Sequence, residues 1–353
     1  MARRVLLLGS GPAHLQLLQA LARQPLAGAE VALLSPFAQQ VQAPLLPGVV
    51  AGHRRLDDCL LPLQPLAAAA QVHFIEAQVV GLDAAARRVS LGDGRQVDYD
   101  LLSINSTPVQ DRDRTPGARE RGLFLRPQES FARLLEGLWD LAARRVLDVV
   151  VVGGGVEAVE LALALACRLG SSADERARVA LVTGGDAPLA GCPAGLQQRA
   201  QRALARRRIT VFRDHCRAVE PGAVVLGQGA RLACDAPLLA MPGEAPPWLT
   251  SSGLSLDASG WVVTGPTLQS LSNPEVLAVR TAVTGVAHTL EINLRGLVGG
   301  GPLSLVKPRR QPPCFVETGD RRALVAWGRL SVEGRWVQWW KDRREASGFS
   351  RSA

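Results

Sequence analysis

The stretch "LDVVVVGGGVEAVELALALACRL", Leu147–Leu169, decides how the rest of this 353-residue chain is read. Val149–Val152 is an apolar run of strand length that stops abruptly at Gly153. Gly153, Gly155 and Ala158 then follow G-x-G-x-x-A spacing, and a run of helix formers leads to Leu169. Val179–Val182 supplies the next strand. In such a unit the first glycine makes the tight turn and the second lets a phosphate approach the backbone. The amides at the helix N-terminus face that phosphate.

The same device stands at the start of the chain. Val5–Leu8 leads straight into "GSGPAH", Leu15, Leu17, Leu18, Leu21 and Ala22 recur at helical spacing, and Val31–Leu34 is the second strand. Gly9 and Gly11 thus take the places of Gly153 and Gly155, 144 residues upstream (153 minus 9). One glycine turn is a weak signal because such turns are common. Two, each set between an apolar strand and a helix, predict an α/β chain with two Rossmann-like dinucleotide-binding domains. Neither unit has the acidic residue expected at the end of its second strand, where a carboxylate accepts hydrogen bonds from ribose hydroxyls. Ser35 and Pro36 stand there in the first unit, Thr183 and Gly184 in the second. The second unit therefore lacks the usual barrier to a 2′-phosphate, and NADH and NADPH both stay open.

Composition agrees with a globular protein of two domains, with 47% hydrophobic and 20% charged residues. The formal charge is +8, yet Lys307 and Lys341 are the only lysines, and the densest basic runs, Arg206–Arg208 and Lys307–Arg310, are short and without aromatic neighbours. No nucleic-acid partner is expected from them. Six cysteines, Cys59, Cys167, Cys192, Cys216, Cys234 and Cys314, form no C-x-x-C pair. That spacing argues against a zinc site, a redox disulfide and a secreted framework, and predicts reduced thiols in a cytoplasmic protein without a metal. The opening "MARRVLLLGSGP" is too briefly apolar for a signal peptide. No apolar run approaches the roughly 20 residues of a membrane-spanning helix.

Several further segments, "LLSPFAQQVQAPLLPGVVAGH", "FIEAQVVGLDAAARRVSL", "YDLLSINSTP", "LVTGGDAPLAG" and "GRWVQWWKD", join the two glycine turns in one pattern. Together they resemble the FAD/NAD(P)-dependent pyridine nucleotide-disulfide oxidoreductase superfamily. Within it the chain is most similar to the type II NADH dehydrogenase-like group, and most of all to the branch that occurs fused to, or beside, selenide, water dikinase. The resemblance implies a discontinuous FAD-binding domain, residues 1–117 and 250–305, with an NAD(P)-binding domain, 118–249, inserted between. Residues 306–353 remain, where Cys314–Val316 and Ala323–Trp327 flank "ETGDRR" as a β-hairpin before a short terminal helix. The implied activity is an FAD-dependent NAD(P)H oxidoreductase, with hydride passing from nicotinamide to flavin and electrons leaving to a quinone or another small acceptor. By the same resemblance Gly9, Gly11, Pro12, Ala13 and His14 lie at the FAD pyrophosphate, and Ser35 and Pro36 near its ribose. Leu45, Leu46, Pro47 and Gly48 lie close to the isoalloxazine, with Thr107 on the flavin side, and Gly153, Gly155, Val156 and Glu160 line the nicotinamide path. No residue is singled out as catalytic.

The chain departs from that pattern where a family member ends a late strand in Gly-Asp, the Asp bonding the FAD ribitol. Aligned on "NPEVLAV", it carries Arg280 and Thr281 instead, a hydroxyl beside a fixed cation in place of an acceptor-only carboxylate. A following segment of about ten family residues is shortened, since "TAVTGVAHTLEINLRG" reaches the next helix almost at once. "LLAMPGEAPPW" (Leu238–Trp248) and "SINSTP" (Ser103–Pro108) are altered too. Two readings follow. Arg280 grips the FAD pyrophosphate, or the flavin site has decayed and the chain is a non-catalytic nucleotide-binding or protein-interaction module.

Other residues have two uses each. His14 is a phosphate neighbour or a packing histidine. His288 is a flavin neighbour or, preferred, helix-face packing, and Glu160 a nicotinamide contact or a plain helix carboxylate; Cys59 has the single reading of a non-catalytic thiol. Trp336, Trp339 and Trp340 make one helical stripe opposite Lys341, Asp342, Arg343 and Arg344, read first as core packing and second as a membrane-interface element on the inner face of a membrane. A homodimer is compatible with the sequence, and the tail after Ala346 is expected to be mobile.

Overall fold

Each glycine turn grows out of the middle strand of a five-stranded parallel sheet. The computed structural model describes residues 2–170, 177–280, 286–306, 313–328 and 330–349. In the first sheet the order is Val276–Ala278, Leu101–Ile104, Arg3–Leu8, Ala29–Ser35, His73–Glu76. The second repeats the arrangement with Leu123–Phe124, Ala236–Leu239, Leu147–Val152, Ala177–Val182 and Thr210–Phe212. Parallel strands covered on both faces need apolar side chains on both, which is why Val5–Leu8 and Val149–Val152 are unbroken runs and all eight residues are buried. A three-stranded antiparallel meander interrupts each unit before its strand on the far side of the middle one: Val79–Asp83, Arg88–Leu91, Gln96–Asp98 in the first, and Cys216–Glu220, Ala223–Leu226, Arg231–Ala233 in the second.

The two units repeat down to single hydrogen bonds. The Gly9 amide donates to the Leu34 carbonyl and the Gly153 amide to the Val182 carbonyl, both at 2.8 Å. On the opposite side, the Asn105 amide donates to the Leu8 carbonyl at 2.9 Å and the Ala240 amide to the Val152 carbonyl at 2.8 Å. Asn105 and Ala240 are therefore equivalent positions, one step beyond the strands that flank the two glycine turns.

The C-terminal part corrects the sequence reading. Three antiparallel strands, not two, precede the helix: Cys314–Glu317, Ala323–Trp327 and Leu330–Gly334. "LSVEG" is an edge strand whose Leu330 is 76% exposed, so it has no clear buried face to betray it. The helix that follows, Arg335–Phe349, is longer than expected and runs past Ala346; residues 350–353 lie outside the described residues. Gly319, in the turn between the first two of these strands, has φ +75° and sits so close to the Val156–Leu169 helix that a Cβ would lie 2.8 Å from the Leu163 carbonyl oxygen. That close approach seats the C-terminal strands on the second unit.

Candidate dinucleotide sites

The first glycine turn feeds the helix Pro12–Arg23. Pro12 has no N–H to leave unpaired. The amides of Ala13 and His14 both donate to Asn105 Oδ1, at 2.9 and 3.3 Å, and the Gly11 amide donates to the Asn105 carbonyl at 3.0 Å. Asn105 Nδ2 donates to the Val279 carbonyl at 2.9 Å, and the whole residue is buried. A Cβ on Gly11 would fall 2.4 Å from Asn105 Oδ1, and one on Gly9, at φ +88°, 2.6 Å from Ser106 Cα. Both glycines are thus required by the approach of the Asn105–Ser106 strand end. Thr107 follows half-buried, while Pro12 and Pro36 are exposed.

His14 turns into the sheet. Its Nδ1 lies 2.6 Å from the Gly9 carbonyl oxygen and its Nε2 2.8 Å from Ser103 Oγ. Burial pushes the imidazole down to about 4, against the Gly9 carbonyl, which favours the cation. The ring is neutral at physiological pH and both nitrogens are engaged, so His14 offers a phosphate only its backbone amide. Ser35 is also committed: its Oγ lies 3.3 Å from Ser10 Oγ and donates to the Phe37 carbonyl at 3.2 Å. Ser10 Oγ donates to Gln40 Oε1, and Gln40 Nε2 donates at 2.9 Å to Glu129 Oε1, which also accepts the Val41 amide at 2.9 Å.

The second turn is open. Gly155 is exposed, and a Cβ added to it would meet nothing within 4 Å. Gly153 packs on the strand end as Gly9 does, a Cβ there lying 2.4 Å from the Ala240 carbonyl oxygen, but Ala240 has no side chain to reach the helix amides. Glu157, in the first turn of the Val156–Leu169 helix, accepts from Arg126 Nη2 at 2.5 and 2.7 Å. Thr183 Oγ1 donates to the Asp186 carbonyl at the place where a ribose carboxylate was expected.

Between the units, a small cavity of about 30 Å³ brings Leu46, Pro47 and Val50 of the helix Leu46–Val50 against Leu125, Glu157 and Glu160. Leu45 is half-buried and Gly48 buried beside them. Residues placed by resemblance at the isoalloxazine and along the nicotinamide path therefore meet here. Glu160 is buried and accepts the Glu317 amide at 2.8 Å. Burial drives its carboxyl up to about 8, against the pull of Lys341 and with the push of Glu317. Lys341 is not on a solvated helix face as expected: it is buried, its Nζ donating at 2.5 Å to Glu317 Oε1 and at 2.8 Å to the Pro44 carbonyl. Gln338 Nε2 adds a 3.0 Å bond to the same Glu317 oxygen.

The tryptophan stripe divides. Trp340 packs edge-on to Phe315 with ring centroids 5.2 Å apart, whereas Trp336 and Trp339 are 58% and 61% exposed, which overturns core packing as the use of the whole stripe. His288 is exposed beside Glu291 at 3.8 Å and packs no helix face. Cys59 is buried and its thiol raised to about 11 by burial, an unreactive state.

Arg280 engages the protein itself, with Nη1 3.3 Å from Asp257 Oδ2 and its guanidinium 5.5 Å from the Trp261 ring centroid. It lines, with Ser106, Trp261 and Val279, a second cavity of about 270 Å³ at the carboxyl ends of the Leu101–Ile104 and Val276–Ala278 strands. Thr281 lies outside the described residues.

The residues present fit dinucleotides unequally. The first turn has no acidic residue in its opening helical turn, and its amides converge on one oxygen acceptor, the chemistry of a phosphate oxygen. The second turn is open at Gly155, and the acidic residue in its opening helical turn, Glu157, is paired with Arg126. Sequence reading missed Asn105, Gln40, Glu129 and Glu317. The asparagine closing the buried run "LLSI" was the one available signal; the others meet their partners only in space.

The profile of the pyridine nucleotide-disulphide oxidoreductase family matches residues 3–283. An NADH dehydrogenase-like protein of Mycobacterium tuberculosis is 31% identical over 189 residues, 50% of this chain and 47% of that protein. The demethylphylloquinone reductase NdbB of Synechocystis is 30% identical over 191 residues, 52% of this chain and 46% of NdbB. The matched stretch spans about half the length of these curated relatives. Among solved structures, the sulfide:quinone oxidoreductase of Aquifex aeolicus superposes with a TM-score of 0.80 at 18% identity, covering 99% of this chain and 93% of that one. NDH2 of Plasmodium falciparum, solved with NADH, gives 0.79 at 12% identity over 100% and 98%. Among the described residues no helix is long and apolar enough to cross a membrane.

Proposed function

The chain belongs to the pyridine nucleotide-disulphide oxidoreductase family, and from that premise we propose an FAD-dependent NAD(P)H oxidoreductase that delivers electrons to a quinone or another small acceptor. The observation that carries the reading is the meeting of Leu46 and Pro47 with Glu157 and Glu160 across one cavity between two duplicated dinucleotide units. In this reading residues 1–117 and 250–305 hold FAD, 118–249 hold NADH or NADPH, and 306–353 cover the junction. Bound flavin would supply the hydride acceptor. The chain's own part is positional. Gly153, Gly155 and Val156 receive the nicotinamide dinucleotide phosphates, Leu46 and Pro47 exclude water, and Glu160 holds a proton at neutral pH because burial raises it.

A quinone acceptor is supported by the reductases among the relatives and by an apolar surface fit for a lipid interface. Trp327, Leu330, Trp336 and Trp339 are all more than half exposed on the C-terminal strands and helix. We place the protein peripherally at a membrane on that basis. The test is NADH and NADPH oxidation by FAD-reconstituted protein, with a long-chain quinone in phospholipid vesicles and with a water-soluble quinone. Turnover with both is expected, and the double variant Trp336→Ser, Trp339→Ser should slow only the vesicle reaction. Absence of turnover with either quinone rejects the quinone acceptor, and a bound flavin that neither NADH nor NADPH reduces rejects the oxidoreductase. A second reading, a non-catalytic nucleotide-binding or protein-interaction module, draws on Asn105 filling the first helix's amides and on Arg280 pairing with Asp257. It requires nicotinamide dinucleotide binding without turnover.

A further inference from the structure

We propose that Asn105 is an internal plug at the first dinucleotide site: its amide oxygen holds the place of a cofactor phosphate oxygen, and FAD binds only by displacing it. The proposal rests on the reading of the first unit as the flavin unit. Three observations carry it. Asn105 Oδ1 is a single acceptor for the amides of Ala13 and His14, at 2.9 and 3.3 Å, which are the groups a Rossmann turn presents to a phosphate. Asn105 is fully buried and held from behind by Nδ2 on the Val279 carbonyl at 2.9 Å, so it is built into the strand end and not a stray surface contact. The molecule also contains its own comparison. At the equivalent strand end of the second unit stands Ala240, and there Gly155 faces open space.

The same fold therefore has one turn already capped and one ready for a ligand. To seat a phosphate at the first turn, the Asn105 side chain must give up both helix amides and rotate away from Val279. Because Asn105 also bonds through its backbone to Leu8 and Gly11, only the side chain needs to move. The cofactor meets a competitor that is always present and never diffuses away, so the plug lowers apparent flavin affinity by the share of molecules in which it is closed.

The plug gives two effects of opposite sign from one substitution. Asn105→Ala makes the first unit resemble the second. It should tighten FAD binding about tenfold, since displacement of the side chain's hydrogen bonds is no longer required. It should also lower the melting temperature of the FAD-free protein by about 1 to 3 °C, since the helix loses its cap. A residue that merely supports the site would weaken both together. Full-length wild type and variant are titrated with FAD, followed by quenching of flavin fluorescence, and melted with and without FAD. NADH binding to the second unit, unchanged in both proteins, reports that the variant is folded. Asn105→Ser, shorter than asparagine but still polar, guards against loss of the alanine variant and should also bind FAD more tightly than wild type. Equal or weaker FAD binding by both variants, with wild type binding FAD, overturns the plug and leaves the flavin reading intact. If neither wild type nor variants bind FAD while NADH still binds, the flavin reading falls and takes the plug with it.

Discussion

His14 shows how burial, working against a carbonyl that favours the cation, sets a charge state. Its folded value of about 4 lies below the ordinary 6.5, so between those values the unfolded chain binds the extra proton. Stability from this residue is therefore fully present above pH 6.5 and lost as pH falls toward 4, by about 3 kcal/mol in all. Urea unfolding of wild type and His14→Gln across that window should give a steeper fall for wild type, and parallel curves would show that His14 is not buried neutral. Glu160 slopes the other way, losing stability as pH rises from about 4.5 to 8, but it does so in both proteins and cancels. At this scale the glycines were legible, because a turn between an apolar strand and a helix leaves few alternatives. Asn105 was not, because its partners Ala13 and His14 are 92 and 91 residues away in sequence. The role of His14 was undecided for the same reason: Ser103 meets it only in the folded sheet.

The C-terminal helix is fastened by a buried charge that composition alone assigns to the surface. Lys341 and Glu317 form a buried pair beside Glu160, which holds its own proton, so removing the lysine leaves the Glu317 carboxylate without its cation. Lys341→Met should cost about 3 to 5 kcal/mol in denaturant unfolding, the usual penalty for breaking one side of a buried pair. Adding Glu317→Gln should restore much of that loss, because the double variant buries less charge. A loss below about 1 kcal/mol in the single variant would mean that the pair is not what seats the helix. Helical periodicity found this helix and its tryptophan stripe, yet it put Lys341 on the wrong side. A stripe read from one element cannot know that Glu317 arrives from a neighbouring strand. The edge strand Leu330–Gly334 escaped notice for a related reason, since its outward leucine and inward glutamate reverse the pattern that marks a strand.

Taken whole, the molecule is one architecture used twice and finished differently. The spatial strand order, the hydrogen bonds of the first glycines and the meander before the strand that flanks each glycine turn repeat between units. The strand-end residue does not: asparagine in one, alanine in the other. The duplication was plain in the sequence because parallel strands buried on both faces must be uniformly apolar. How the units meet was not, since Leu46 and Glu160 join one cavity only after both domains and the C-terminal strands have packed.

The central claim is that both turns still take a dinucleotide and that the two meet for hydride transfer. An absorbance spectrum of the purified full-length protein, incubated with excess FAD, desalted and then mixed with NADH or NADPH without oxygen, tests it most directly. The account predicts flavin bands that survive desalting and bleach on addition of the nicotinamide dinucleotide. A protein that stays colourless after FAD, or holds a flavin that neither nicotinamide dinucleotide reduces, would contradict it.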